Sequence, residues 1–266
     1  MALVLAVVNQ KGGVGKTTTA VNLAASLAAQ ERQALLVDLD PQGNATSGLG
    51  IARDQSDRPT VYHALLGEAD ARSAVLPTEV PHLFVLPSST DLVGAELELV
   101  SMEARESRLR AAIDPLREGY DYILIDCPPS LGLLTINALV AADRVLVPLQ
   151  CEYYALEGLG SLLRTIDLVK KSLKPELEME GVVLTMFDVR NNLARQVMKD
   201  VQGNLPGQVY ETVIPRNVRL SEAPSHGRPA ILYDIESKGA QSYLQLAEEM
   251  LNRHRDRTAP IERKRA

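Results

Sequence analysis

Short apolar runs alternate along this chain with longer stretches in which apolar residues recur every three or four positions. Leu3–Val8, Ala34–Leu39, Leu83–Leu86, Tyr122–Ile125, Arg144–Pro148, Gly181–Met186 and Glu211–Ile214 read as strands. Several are nearly continuous in Val, Ile and Leu, the pattern of strands covered on both faces. Between them, Thr17–Gln30, Glu96–Glu118, Leu133–Ala142, Leu156–Ser172, Leu193–Val201 and Lys238–Arg253 read as helices. Strand–helix alternation of this kind predicts an α/β fold, a doubly wound and mostly parallel sheet with helices on both faces. No internal repeat or Gly/Ser linker divides the chain. Asp54–Pro59 and Leu173–Glu180 read as polar surface connections. One domain over 1–252 with a loose tail over 253–266 is the expected organisation.

Composition narrows this picture little. With 266 residues, 45% hydrophobic and 23% charged, the chain can bury a core without staples. Two cysteines, Cys127 and Cys151, make no disulfide framework and no CxxC metal pattern, which suits a reducing cytoplasm. The apolar start, Met1–Val8, lacks a basic lead-in and a cleavage site, so it reads as a strand and not a signal peptide. No apolar run approaches the roughly 20 residues that span a bilayer.

Charge adds one question. A formal net charge of −6 argues against a polyanion as partner, yet 253–266 holds six basic residues against two acidic ones. Such runs are more often solvated, frayed ends than binding arms.

The chemistry begins after the first strand, at Asn9-Gln10-Lys11-Gly12-Gly13-Val14-Gly15-Lys16-Thr17-Thr18. Three glycines let the backbone turn tightly and aim N–H groups at an anion, and the following helix adds its positive end. The loop amides of Lys11 to Thr18 would cradle phosphates. Lys16 is placed to reach the β- and γ-phosphates of ATP, and the Thr17 hydroxyl to ligate Mg²⁺. The ordinary GxxxxGK[ST] pattern needs glycine at position 10. This chain has Gln10 there, and adds a second lysine, Lys11.

Two further strands end in acids. Tyr122–Ile125 runs into Asp126, a carboxylate placed to face Mg²⁺ through water. Val37-Asp38-Leu39-Asp40 ends another strand, and C-terminal strand ends border the ligand crevice of an open parallel sheet. Asp40 is the candidate for orienting, or deprotonating, the attacking water. Asp38 is the near alternative for that role, or else supports the Mg²⁺ shell through water or caps the following loop. Cys127 reads as a buried filler.

KGGVGKT over 11–17 resembles the deviant Walker A motif of the ParA/MinD family of P-loop ATPases. VDLDPQGNATSGLG (37–50), DCPPSLGLLTINAL (126–139), QCEYYALEGL (150–159), LTMFD (184–188) and VIPRNVRLSEAPSHGRP (213–229) resemble its ParA/Soj branch in particular. The resemblance covers about residues 3–251. It implies a P-loop NTPase fold, ATP and Mg²⁺ as cofactors, and slow ATP hydrolysis. It implies catalytic roles for Lys11, Lys16 and Asp40, with Lys11 crossing to the partner's nucleotide in an ATP-sandwich homodimer. It implies adenine contacts from Pro215 and Asn217, and DNA contacts from Arg190 and Arg219. The implied partners are nonspecific double-stranded DNA and a ParB/Spo0J-type protein, with the protein cytoplasmic and associated with the nucleoid.

The residues themselves say less about DNA. Arg190, Arg195, Lys199, Arg216, Arg219 and Arg228 form two loose groups without aromatic interleaving or a helix-turn-helix. They suit salt-sensitive phosphate contacts, or equally surface ion pairs. Other uses of the loop remain. A MinD-like membrane-cycling ATPase would end in an amphipathic helix, but 253–266 offers only Ile261 as a large apolar side chain and is interrupted by Pro260. A redox carrier would use two cysteines per chain to bridge a cluster. An ATP-dependent small-molecule ligase would keep the loop without the ParA-like segments.

Overall fold

In a computed structural model, which describes residues 1–52 and 58–258, seven strands form one sheet. In chain order the elements are β1 (Leu3–Val7), α1 (Lys16–Ala28), β2 (Ala34–Asp38), α2 (Asn44–Gly48), α3 (Val61–Leu66), α4 (Ala71–Ala74), β3 (Leu76–Pro77) and β4 (Leu83–Leu86). There follow α5 (Leu92–Val100), α6 (Arg108–Ile113), β5 (Tyr122–Asp126), α7 (Leu133–Ala141), β6 (Arg144–Gln150), α8 (Ala155–Ser172) and β7 (Glu178–Thr185). The chain closes with α9 (Asn192–Asn204), α10 (Val218–Glu222), α11 (Ala230–Tyr233) and α12 (Lys238–Thr258).

The strand order is β3-β4-β2-β5-β1-β6-β7, parallel except for the short edge strand β3. Alternate residues of a strand feed opposite faces. Val4, Ala6 and Val8 enter one core with α6 to α9, while Leu5 and Val7 enter the other with α1 and α12. The alternating elements thus bury both faces of the sheet, as their apolar runs predict. The register sets Asp38 of β2 beside Asp126 of β5, and Asp126 beside Val7 of β1. All three strand ends therefore open onto the loop that precedes α1.

Three expectations change. The single helix expected over Glu96–Glu118 is broken into α5, α6 and a 3₁₀ turn over Asp114–Gly119. Asn137 of α7 holds the break, donating to the Arg105 carbonyl (2.7 Å) and accepting from the Leu109 N–H (3.1 Å). Pro115 supplies no N–H to continue a helix beyond it. The strand expected at Glu211–Ile214 is reduced to isolated bridges beside β7, Val182 to Val209 and Phe187 to Pro215. There the Glu249 carboxylate takes the N–H groups of Glu211 and Thr212, each at 2.9 Å, which a ladder would otherwise use.

The segment Leu173–Glu180 is not simply polar surface, because Lys174 and Glu180 are buried. Glu180 accepts from Tyr210 Oη (2.6 Å) and Arg144 (3.0 Å). The same region fixes the end of α12, where Arg253 lies over the Tyr210 ring at 4.0 Å and Tyr122 Oη meets His254 Nδ1 at 2.9 Å. Helix α12 therefore continues past the point where the sequence predicts a loose tail. Residues 259–266, and 54–57 of the other expected connection, lie outside the described residues.

Gly227 makes a close approach that a side chain would obstruct. Its φ is 64°, and a Cβ there would stand 2.8 Å from the Gly50 Cα. Gly227→Ala is expected to destabilise the fold by roughly 2–4 kcal/mol, from left-handed strain plus overpacking. A urea unfolding midpoint equal to the parent's would show that the two loops can separate freely.

Candidate functional site

The loop from Asn9 to Gly15 leaves β1 and turns over the sheet's C-terminal edge. Asn9 braces its start, donating to the Pro148 carbonyl (2.8 Å) and accepting from the Lys11 N–H (3.0 Å). Thr185 at the end of β7 braces its far side by donating to the Val14 carbonyl (2.8 Å). Gly15 is left-handed, φ 88°, and caps α1 without a side-chain bond, which leaves the helix's first N–H groups facing the loop. A Cβ on Gly12 or Gly13 would meet nothing within 4 Å. The concave side of the loop is open space of the kind that phosphates fill.

Lys16 is the first residue of α1 and is buried, with Nζ donating to the Lys11 carbonyl across the loop at 3.1 Å. Burial lowers its pKa, while Asp126, Cys127 and Asp40 raise it in turn. Asp126 is buried on β5, and neither of its carboxylate oxygens has a hydrogen-bond partner. Desolvation raises its pKa well above the usual carboxylate range, and the adjacent Asp38 adds to this. The nearby Thr17 hydroxyl and the Lys16 ammonium work the other way. A buried carboxylate without donors costs free energy unless a cation meets it. Asp126 beside the Thr17 hydroxyl is therefore a fitting seat for Mg²⁺.

Asp38 is spent differently. Its Oδ1 accepts from the Asp40 N–H (3.2 Å), and its Oδ2 accepts from the Thr46 N–H and hydroxyl, both at 2.7 Å. Burial pushes its pKa up to about 6 against the pull of the Thr46 bonds. These bonds tie the Asp38 carboxylate to the turn that carries Asp40 and to the start of α2.

Asp40 lies at the mouth of the site, 7% exposed, with Oδ1 accepting from the Gln42 N–H at 2.9 Å. Ser88 fastens this turn to β4. Its hydroxyl donates to the Asp40 carbonyl (2.8 Å), and its N–H donates to the Thr46 hydroxyl (3.0 Å). Thr46 and Ser88 escape a sequence reading because isolated Ser and Thr carry no motif of their own.

Lys11 points outward. Its ammonium is bound to Glu152, just beyond β6, and Glu152 is also held by Gln150. Both partners are nearly half exposed, 43% and 48%. Beside α1 opens a cleft of about 320 Å³ lined by Gly15, Thr18, Met186, Pro215, Asn217 and Tyr243. Pro215 and Asn217, 200 residues from the loop, are thus brought to its side. Met186 is left-handed, φ 49°, a strained backbone held in place by its surroundings.

The two arginines singled out by sequence lie on the segments that flank this cleft. Arg190 follows β7 and grips Asp188 with Nε (3.0 Å) and Nη2 (2.9 Å). Arg219 on α10 binds Glu222 (2.8 Å) and Asp234 (3.1 Å).

Residues 2–179 match a family model described as an AAA domain. The chain is 61% identical over 250 residues to the chromosome partitioning protein ParA of Myxococcus xanthus, covering 94% of this chain and 88% of that one. It is 57% identical to the sporulation initiation inhibitor protein Soj of Bacillus subtilis, covering 94% and 98%. The chain belongs to the ParA/Soj family. As a ParA/Soj protein it is a P-loop ATPase that works with ATP and Mg²⁺. A solved structure described as cobyrinic acid a,c-diamide synthase from Mycobacterium smegmatis, with bound ADP and magnesium, superimposes with a TM-score of 0.84. It is 40% identical and covers 96% of each chain. The ParA/Soj assignment agrees with the mostly parallel sheet, the loop at its C-terminal edge and the acids at the ends of β2 and β5. Among the described residues, no helix is long and apolar enough to cross a membrane.

Proposed function

We propose that this protein is a nucleotide-switched, DNA-partitioning ATPase of the cytoplasm and nucleoid. ATP enters with its phosphates against the amides of Lys11 to Thr18 and the Lys16 ammonium, and its base in the cleft at Pro215 and Asn217. Thr17 and Asp126 would hold Mg²⁺, which would supply charge neutralisation at the phosphates. Asp38 holds the Asp40 turn in shape, and Asp40 orients the attacking water. The bound nucleotide supports a homodimer that places Lys11 against the partner's phosphates, where it offsets charge developing during transfer. The dimer binds duplex DNA through phosphates, and hydrolysis, accelerated by a ParB/Spo0J-type protein, ends that state.

Lys11 is the observation that carries this reading. Its ammonium stands at the rim, paired with an exposed Glu152, and not inside its own chain's phosphate cradle. A cation so placed is available to a second subunit. The ligase reading suggested by the synthase name at 40% identity is weaker, because the relative at 61% carries a partitioning name.

Sedimentation of random-sequence duplex DNA with the protein tests the whole reading. Co-sedimentation is expected with ATP and not with ADP or without nucleotide, and anionic phospholipid vesicles should recover no protein. DNA recovery indifferent to nucleotide would end it. Lys11→Ala should bind ATP as the parent does but remain monomeric in light scattering, with turnover lowered by about 10²-fold or more. A dimer of parental affinity in that variant would remove Lys11 from the interface.

A further inference from the structure

The arginine face proposed to meet DNA carries its own anions. The Phe187 N–H donates to the Ile214 carbonyl at 3.0 Å, which lays residues 188–190 beside 215–219. Arg190, Arg216, Arg219 and Arg228 supply four positive charges there. Arg190 is bound by both oxygens of Asp188, at 3.0 and 2.9 Å. Arg219 is bound by Glu222 and by Asp234, and Tyr233 Oη adds a bond to Glu222 at 3.3 Å. Arg228 is bound by Glu79 at 3.1 Å. Arg216 makes no ion pair among the described residues but lies within the field of Asp188. Three of these four arginines are thus paired with carboxylates, in a chain whose overall charge is already −6.

We propose that Asp188, Glu222, Asp234 and Glu79 act as a carboxylate screen that keeps one subunit from binding DNA, so that binding requires two subunits joined by nucleotide. This rests on the reading above that Arg190 and Arg219 touch DNA phosphates. Affinity for a polyanion grows with the number of phosphates neutralised, because each neutralisation releases condensed counterions. A paired arginine gains little, since its phosphate contact must first displace a carboxylate. Two such faces held on one duplex gain by effective concentration what neither gains alone. Arg190 holds the Asp188 carboxyl down to about 2, and Arg219 holds Glu222 below its usual range. Nucleotide dependence is, on this view, partly a matter of charge arithmetic at the surface and not only of subunit shape.

The test removes the screen and leaves the arginines. Asp188→Asn, Glu222→Gln and Asp234→Asn are combined in the full chain. Glu178→Gln is the control, an exposed carboxylate that pairs with Arg144 at the start of β7. Fluorescence anisotropy of a short random duplex is followed without nucleotide, with ADP and with ATP, over a range of salt. The triple variant should bind without nucleotide about 10-fold or more tighter than the parent. The slope of log affinity against log salt should steepen by about 0.9 for each arginine freed. The control should move neither. Binding no tighter than that of the Glu178→Gln control would overturn the screen. So would loss of ATP-dependent binding in a variant that still dimerises and melts as the parent does, because the carboxylates would then be positioning the arginines. Arg190→Glu with Arg219→Glu separates the two layers. If those reversals leave the parent's ATP-dependent binding intact, the DNA face itself is misassigned, whatever the screen variant does.

Discussion

Lys16→Ala is expected to lose ATP binding and turnover together. Lys16 is buried at the start of α1, and its ammonium is bonded to the loop at the Lys11 carbonyl. Its charge also acts on the buried Asp126 carboxylate and lowers that acid's pKa. Removing it takes the positive charge from the phosphates and deepens the burden on a buried acid. Breaking a buried charge partnership costs about 3–5 kcal/mol, which corresponds to roughly 10²–10⁴-fold in affinity. Turnover should fall at least as far, because the same ammonium meets charge on the transferring phosphoryl group. Lys16→Arg should not restore it, since the longer planar guanidinium cannot keep both the Lys11 carbonyl and the cradle. Titration with a fluorescent ATP analogue and a phosphate-release assay measure the two effects. An affinity within a few-fold of the parent's would remove Lys16 from the phosphate site.

The second large effect separates binding from chemistry. Asp40→Ala should bind ATP nearly as the parent does, accumulate as the dimer, and turn over about 10²–10⁴-fold more slowly, the range of a lost general base or water-orienting group. Asp40 also shapes its turn, accepting the Gln42 N–H, so alanine alone confounds two roles. Asp40→Asn keeps an oxygen for that N–H but does not take up a proton at neutral pH. Both variants should therefore be slow, with Asn melting closer to the parent. Parental turnover in Asp40→Asn would leave Asp40 only a structural part.

Much of this site was legible because its parts are local. The loop over 9–19 lies within one strand-to-helix turn, and Asp40 and Asp126 follow apolar runs that end where a parallel sheet opens. Lys11 stood out because Gln10 replaces a glycine. The roles of Asp38 and Asp126 were not separable in this way. Each is an acid at a strand end, and only the tertiary structure shows that Thr46 donates to one while Thr17 and Lys16 lie beside the other. The break in Glu96–Glu118 was likewise hidden, since it depends on Asn137 from another helix. The edge strand expected at Glu211–Ile214 was lost to Glu249, an acid some 35 residues later.

The sequence by itself determined the fold class, the phosphate loop and the family, through periodicities and residue spacings that act over a few turns of chain. Tertiary structure decided what each charge faces. It set Lys11 on Glu152, left Asp126 without donors, brought Pro215 and Asn217 to the side of α1, and paired Arg190 and Arg219 with carboxylates. Electrostatic energies depend on separation and burial in space. Those quantities exist only once the sheet has brought distant segments together.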